Sequence, residues 1–553
     1  MPTTPLERFP DAIAELARHL PASTKAVHCG EKSLSFAEWD ARGARLAGAW
    51  RERGISSGAV VALALYNSVE YLECVLAAFK LGAIVANINY RYVAEEMAYV
   101  LNDIDAKVLV CDPSVAAEAT KAVAASGVEV LVHTGAEEIE GAERYDDLMA
   151  SATPVEEPVR AERMLYILTG GTTGRPKAVV WNHAAVMEII SSVFVLLKVD
   201  RPRSWPEQVA LIDRLRAERA LPVMMPLAPL IHGTGLLNAL RTLQVGGTVV
   251  FCESKTLDAR EAWSAVARRS VTDLAIVGDA FGARLLAELR AAEAEGRGYD
   301  LSSLRRISSA GVAWTPAVKR GLLDYADVSL FDMISASEGG PYGLSIVSRG
   351  DDVEAARFHL APTARVVTED GRDVRPGSGE VGVLASRGAQ AVGYLGDPER
   401  TGRVWRSLDG VRHCVPGDLA SIAADGTLEF IGRKEGVINT GGEKVFPEEV
   451  EALLADCPGI ADVVVVGVPD ELWGASVTAV VSPSPGATVD RDTVTAHLNG
   501  RLARYKYPRS VVTVPEIPRS PAGKVSRAWA AKLAAERLAT KDSNQTVGKG
   551  AKP

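Results

Sequence analysis

The 553-residue chain contains no C-x-x-C pair; its six cysteines, Cys29, Cys74, Cys111, Cys252, Cys414 and Cys457, are scattered. That spacing indicates neither a zinc site nor a disulfide framework, and buried, inert thiols are the expectation. Positive charge is not in excess either. The net charge of -9 is spread along the chain, which gives no basic footprint for nucleic acid. The opening residues 1–10 lack the basic, apolar and small-residue succession of a secretory signal. The most apolar helix candidate, residues 184–197, is interrupted by Glu188, so no membrane span is expected. No internal repeat is present. These absences point to a soluble cytoplasmic protein, with nucleic acid disfavoured as a main partner.

What is present is an apolar content of 47% in a chain too long for one ordinary domain. Amphipathic helices alternate with β-branched runs through the first third, which argues for parallel strands joined by crossover helices. Strands are expected at residues 60–65, 84–88 and 107–111, with a helix at 68–81. Phe36, Trp39, Leu46 and Trp50 recur at helical spacing and are expected in the core. Residues 201–220 read as a charged helical insertion on the surface. Residues 364–394 change to short strands with Gly and Pro turns, a small β subdomain. After Gly432-Arg433 the pattern becomes compact α+β. The fold class is therefore α/β: a large N-terminal domain of stacked α/β sheets with a small β subdomain, then a small α+β domain. We place the boundaries at 1–434, 435–539 and a disordered polar tail at 540–553.

The most informative segment runs from Thr169 through Gly170, Gly171, Thr172, Thr173 and Gly174 to Arg175-Pro176-Lys177. Its glycines let backbone N–H groups approach anionic oxygens, its threonines add hydroxyl donors, and Lys177 adds a positive charge. A Walker A loop is absent, because that motif ends in G-K-[ST] and opens a helix, whereas Arg-Pro and the strand-like Ala178-Val179-Val180-Trp181 follow here. A serine/threonine/glycine surface loop is the alternative for this segment alone.

Four further segments carry candidate chemistry. Ser335-Ala336-Ser337-Glu338-Gly339-Gly340 places a carboxylate among small residues at a strand end, where it could hold Mg2+ against a triphosphate or simply be a surface glutamate at a helix start. Pro416-Gly417-Asp418-Leu419 presents an aspartate that could accept ribose hydroxyls, or could cap its own turn. The third is Gly432-Arg433-Lys434-Glu435 leading to Asn439-Thr440-Gly441-Gly442-Glu443-Lys444. The fourth is Pro521-Ala522-Gly523-Lys524-Val525.

In this order, from about Phe36 to Lys532, the segments resemble the adenylate-forming (AMP-binding) superfamily. The forms Pro229-Leu230-Ile231-His232-Gly233-Thr234-Gly235 and Val277-Gly278-Asp279-Ala280-Phe281 look most like bacterial fatty-acid or steroid side-chain CoA ligases. The resemblance implies an acyl-CoA synthetase of fatty acid metabolism that uses ATP, Mg2+ and coenzyme A, as a monomer or homodimer. A carboxylate first attacks the α-phosphorus, giving an acyl-adenylate and pyrophosphate; a thiol then displaces AMP. Carried over by position, the loop Thr169 to Gly174 with Lys177 would grip the phosphates. Ser337 and Glu338 would serve phosphate and metal, Asp332 with the backbone of Gly311 and Val312 the adenine, Asp418 the ribose, and Arg433 ribose or phosphate. Lys524 would bridge carboxylate and α-phosphate in the first step. Glu435 takes the hinge position of a mobile C-terminal domain, and Gly441 and Gly442 would line the CoA channel. His232, Gly233, Thr234, Gly278 and Asp279 would wall the acyl pocket, whose small residues leave room for a bulky acid. A satisfied core histidine is the alternative for His232, a helix cap for Asp279 and a solvated lysine for Lys524.

The chain departs from the family's pattern at four places. Ile334-Ser335 stands where most members have Tyr-Gly, Glu435 where the hinge is usually Asp or Lys, Asn439 where some have Lys, and Ala178 where glycine is usual. A different acceptor is the second reading: a nitrite-activating aryl-amine diazotase, or a ligase that loads a carrier protein.

Overall fold

The computed structural model describes residues 8–150, 152–159, 161–170, 176–311, 314–353, 357–433, 436–518 and 527–547. The chain divides into two compact units. One comprises Met1–Tyr90, Met97–Leu168 and Ala178–Gly432; the other comprises Arg91–Glu96, Thr169–Lys177 and Arg433–Pro553. Among the described residues the strands form sheets of nine, eight, six and five strands. No described helix is long and apolar enough to cross a membrane.

Apolar β-branched runs joined by amphipathic helices produce parallel pairing, as the sequence rhythm implies. Val60–Ala64 lies between Ile84–Asn87 and Ala106–Cys111, parallel to both, in the eight-stranded sheet. The crossover helix Val69–Leu81 is set by its ends. Ser68 Oγ accepts from the Tyr71 amide at the start, and Gly82 takes φ 71° at the stop. Phe36–Glu52 opens on a capping box between Ser35 and Glu38 and buries Phe36, Trp39, Leu46 and Trp50 in the main core.

The nine-stranded sheet positions most of the candidate site. Four of its neighbours, Val223–Pro226, Asp273–Ile276, Arg306–Ala310 and Ser329–Ala336, run parallel, so their C-terminal ends share one edge. Gly339–Ser348 then returns antiparallel from the last of them. The β subdomain is a six-stranded sheet that includes Gly382–Ser386, Val411–Cys414 and Asp418–Ile422.

In the second unit, Ile460–Asp470 pairs antiparallel with Gly474–Pro483, whose other neighbours are Ile438–Thr440 and the parallel strand Ser510–Thr513. Arg527 Nη1 and Nη2 donate to the two carboxylate oxygens of Glu451 at 2.6 and 2.9 Å, and Nη1 also reaches Val465 O at 2.7 Å. This fastens the helix Arg527–Val547 to the helix Pro447–Leu454 and to the strand Ile460–Asp470.

Three expectations are corrected. The helix Arg527–Val547 runs into the tail expected to be disordered from 540, continuing from the good helix formers Ala, Leu, Lys, Glu and Arg that precede Thr540. Residues 184–197 form two helices, His183–Ile190 and Ser192–Leu196, separated at Ser191. The insertion is not confined to the surface. Its helix Trp205–Ala217 buries Gln208, Leu211, Ile212 and Leu215, with Leu211 and Leu215 clustering with Val193, Phe194 and Val245.

Candidate functional site

The residues expected to meet ligands follow the C-terminal ends of parallel neighbours in the nine-stranded sheet. His232 to Thr234 come after Val223–Pro226, Gly278 and Asp279 after Asp273–Ile276, Gly311 after Arg306–Ala310, and Ser337 with Glu338 after Ser329–Ala336. Carboxyl ends of parallel strands are where open α/β sheets bind ligands, because loops of independent sequence converge there on a rigid edge.

Ser337 and Glu338 form the two-residue tip of a hairpin, with Ala336 paired to Gly339. No helix starts at Glu338, and its side chain is only 7% exposed, so it is not a surface glutamate. Three groups hold this tip. Trp181 Nε1 donates to Ser337 O at 3.0 Å, the Ala391 amide donates to Glu338 O at 2.9 Å, and the Tyr394 hydroxyl donates to Glu338 Oε1 at 2.6 Å. Burial, then the Glu338 charge, drives the Tyr394 phenol well above its ordinary pKa, so it remains a donor.

Asp418 is 3% exposed at the first position of the strand Asp418–Ile422, after Gly417 at φ 97°. Nearby is the buried Tyr342, whose hydroxyl donates to Cys414 O at 3.5 Å. Burial raises the pKa of Tyr342 most, and the charges of Glu338 and Asp418 add to the effect. Two carboxylates thus share one buried neighbourhood.

Asp332 sits within the strand, and Lys319 Nζ donates to its Oδ2 at 2.7 Å. Ile334 packs against the cluster of Tyr342, Val366, Leu384 and Leu428. Asp279 Oδ1 accepts from the Thr315 amide at 2.9 Å, and Thr315 is the N-cap residue of the helix Pro316–Tyr325. Asp279 does not cap its own helix, Gly278–Ala294, but lies in its first turn and ties that turn to the start of the next helix. Gly278 takes φ 48°, and its amide donates to Ser309 Oγ at 2.8 Å.

His232 is the N-cap residue of the helix Gly233–Leu243 but makes no side-chain cap. The segment leading to it is clamped from another sheet. Asn67 Nδ2 donates to Pro226 O and Ala228 O at 2.8 and 3.1 Å, and its Oδ1 accepts from the Leu230 amide at 2.7 Å. The Tyr71 hydroxyl donates to Asn87 Oδ1 at 2.8 Å. Asn67, Tyr71, Tyr394 and Trp181 were all missed in the sequence; the polar Asn67 and Asn87 among apolar strand and turn residues were the available signal.

In the second unit, Thr169 is the penultimate residue of the strand Arg163–Gly170, and its buried Oγ1 has no hydrogen-bond partner among the described residues. An orphaned hydroxyl of this kind fits a phosphate oxygen. Lys177 lies in the strand Pro176–Asn182. Gly441 and Gly442, at φ 58° and 86°, link Ile438–Thr440 to Glu443–Val445, the signature of a two-residue type I′ hairpin. A Cβ on Gly441 would lie 2.5 Å from Trp473 Cε3, so only glycine fits. Arg433 ends the strand Leu428–Arg433. Gly171, Thr172, Thr173, Gly174, Val312, Glu435 and Lys524 lie outside the described residues.

Among the described residues no three His, Cys, Asp or Glu gather as a metal cluster. A single buried carboxylate, Glu338, nevertheless fits Mg2+ on a nucleotide, since that ion keeps its waters and takes phosphate oxygens as further ligands. The cysteines are buried or half-buried, and burial lifts the Cys29 thiol to about 11 and the Cys252 thiol to about 12, as inert thiols require.

Comparison with known proteins identifies the family. Residues 13–395 match the family model of the AMP-binding enzyme, and residues 449–524 match the AMP-binding enzyme C-terminal domain. The chain is 33% identical to a 3-oxocholest-4-en-26-oate–CoA ligase of Rhodococcus rhodochrous over 98% of this chain and 99% of that protein. It is 36% identical to the medium-chain acyl-CoA ligase Mig of Mycobacterium avium, covering 85% and 86%. The amide bond synthetase McbA from Marinactinospora thermotolerans shares the fold at TM-score 0.78 and 24% identity, covering 94% and 99%. The o-succinylbenzoate CoA synthetase MenE from Bacillus subtilis does so at TM-score 0.76 and 21% identity, covering 94% and 97%. With both family models matched and relatives similar over nearly its full length, the chain belongs to the AMP-binding enzyme family, as an AMP-forming ligase of the acyl-CoA synthetase kind.

Proposed function

We propose that this acid:CoA ligase activates a bulky, largely apolar carboxylic acid, of the fatty-acid or steroid side-chain class, in the cytoplasm. The observation that carries the reading is the parallel-strand edge: the small residues Gly233, Thr234 and Gly278 and the buried carboxylate Glu338 all follow strand ends that lie along it. The substrates of the Rhodococcus and Mycobacterium relatives support the choice of acid.

In the first step a carboxylate oxygen bonds to the α-phosphorus of ATP as the bond to pyrophosphate breaks. In the second the CoA sulfur bonds to the acyl carbon, its proton is lost, and AMP leaves. Mixed anhydride formation replaces a poor oxide leaving group with a phosphate ester. The barrier falls mainly through positioning and charge neutralisation. In the proposed assignment Thr169 to Gly174 with Lys177 grip the β and γ phosphates, and Ser337 contacts phosphate. Glu338 holds Mg2+, which when bound offsets the charge of the triphosphate. Asp418 accepts the ribose hydroxyls, Arg433 steadies ribose or phosphate, and Asp332, Gly311 and Val312 border the adenine. Lys524 neutralises the two anions as they meet. Glu435 is the hinge, Gly441 and Gly442 border the thiol path, and His232 gates the acid.

Lys524→Ala tests the assignment. It should abolish acid-dependent pyrophosphate exchange while leaving ATP binding nearly intact; wild-type exchange in that variant would reject the mechanism.

A further inference from the structure

Tyr394 belongs to a strand of two residues, Gly393–Tyr394, that pairs antiparallel with Val180 and Val179. So short a strand does not fix a side chain, but its neighbours do. The Tyr394 amide donates to Thr401 Oγ1 at 2.9 Å, and that hydroxyl donates to Asp397 O at 2.7 Å. The ring meets Trp405 edge-on, with centroids 5.3 Å apart, and carries the Arg400 guanidinium 4.1 Å from its centroid. Held on these sides, the hydroxyl has one direction, toward Glu338 Oε1.

At the tip of the two-residue turn, this hydrogen bond sets the direction of the Glu338 carboxylate. Hydrogen bonds from outer residues orient metal-binding carboxylates and hold them ready. A phenol is suited to this task because it is a neutral donor and leaves the carboxylate's charge for a cation, whereas a lysine or arginine would cancel it. We propose that Tyr394 is a positioning residue that fixes the Glu338 carboxylate toward the Mg2+ of the incoming nucleotide. This rests on the reading of Glu338 as the metal ligand.

The test is Tyr394→Phe in the full chain, which keeps the ring between Arg400 and Trp405 and removes only the hydroxyl. Binding of a non-hydrolysable ATP analogue is titrated calorimetrically against Mg2+, alongside the melting temperature. The Mg2+ concentration for half-maximal binding should rise roughly tenfold, with excess Mg2+ restoring binding and the melting temperature little changed. Thr401→Val, which removes the acceptor of the Tyr394 amide, should shift the Mg2+ dependence in the same direction. Folded variants with an unchanged Mg2+ dependence would overturn the proposal. Glu338→Gln separates the two layers: should it keep the wild-type Mg2+ dependence, the metal-ligand reading itself fails, whatever Tyr394→Phe does.

Discussion

Lys319 Nζ stands 2.7 Å from Asp332 Oδ2, with 7% and 8% of the two side chains exposed. Burial nevertheless raises the Asp332 pKa, and the nearby Lys319 charge works in the opposite direction. Desolvation is the largest influence on this carboxylate, and the Asp279 charge adds to it against Lys319. Removing one partner leaves the other charge stranded. We expect Asp332→Asn to lower unfolding free energy by about 3 kcal/mol, and the double variant with Lys319→Met to recover much of that loss. Additive losses in urea unfolding would show that the pair is not coupled.

The approach to the acyl site gives a second prediction. A Cβ on Gly235 would lie 2.4 Å from Pro229 O and 2.6 Å from Ala228 O, so the turn before the helix Gly233–Leu243 must move to admit it. Gly235→Ala should reduce kcat/KM for the acid about a hundredfold while ATP affinity stays at the wild-type value. Asn67→Ala should act in the same direction, since it removes three hydrogen bonds from this segment. Steady-state kinetics with the acid varied at saturating ATP checks both.

His183 gives a pH dependence. Burial, reinforced by the Arg8 charge, lowers its pKa from 6.5 to about 4. Folding therefore favours the neutral ring. Its stabilising contribution is fully present above pH 6.5 and is lost as pH falls from 6.5 toward 4. The drop in unfolding free energy between pH 7 and pH 4.5 should be about 2 kcal/mol larger in wild type than in His183→Gln. Equal drops in urea melts at the two pH values would contradict this.

The second unit depends on the two-pronged contact of Arg527 with Glu451. Glu451 Oε1 also accepts from the Val465 amide at 2.6 Å, so one carboxylate joins two helices and a strand. Glu451→Ala should lower stability by about 2 kcal/mol, and hydrogen exchange should rise first along Arg527–Val547. Unchanged protection of that helix would remove the fastening role.

Much of the site was legible because its chemistry is concentrated in short segments. Glu338 and Asp418 announce themselves as lone carboxylates among small and apolar residues, and periodicity alone places Val60–Ala64 and Val69–Leu81. Groups that act across sheets were not legible. Tyr394 reaches Glu338 over 56 residues and Asn67 reaches Ala228 over 161, and no local pattern records either meeting. The pairing of Asp332 with Lys319 was hidden for the same reason. The insertion at 201–220 misled because charges surround Leu211 and Leu215, which are buried. Gly441 and Gly442 read as room for a ligand, while the left-handed turn they complete is a second, sufficient reason for glycine.

The central claim is that one active site makes an acyl-adenylate and then an acyl-CoA from a bulky apolar acid. The most direct measurement is mass spectrometry of the products formed from ATP, Mg2+ and CoA with a panel of aliphatic, steroid and aromatic acids, each run with and without CoA. We expect an acyl-CoA together with stoichiometric AMP and pyrophosphate for fatty or steroid side-chain acids, and enzyme-bound acyl-adenylate when CoA is left out. No acyl-CoA from any acid, with AMP released only when nitrite and an aryl amine or a carrier protein is supplied, would contradict the account.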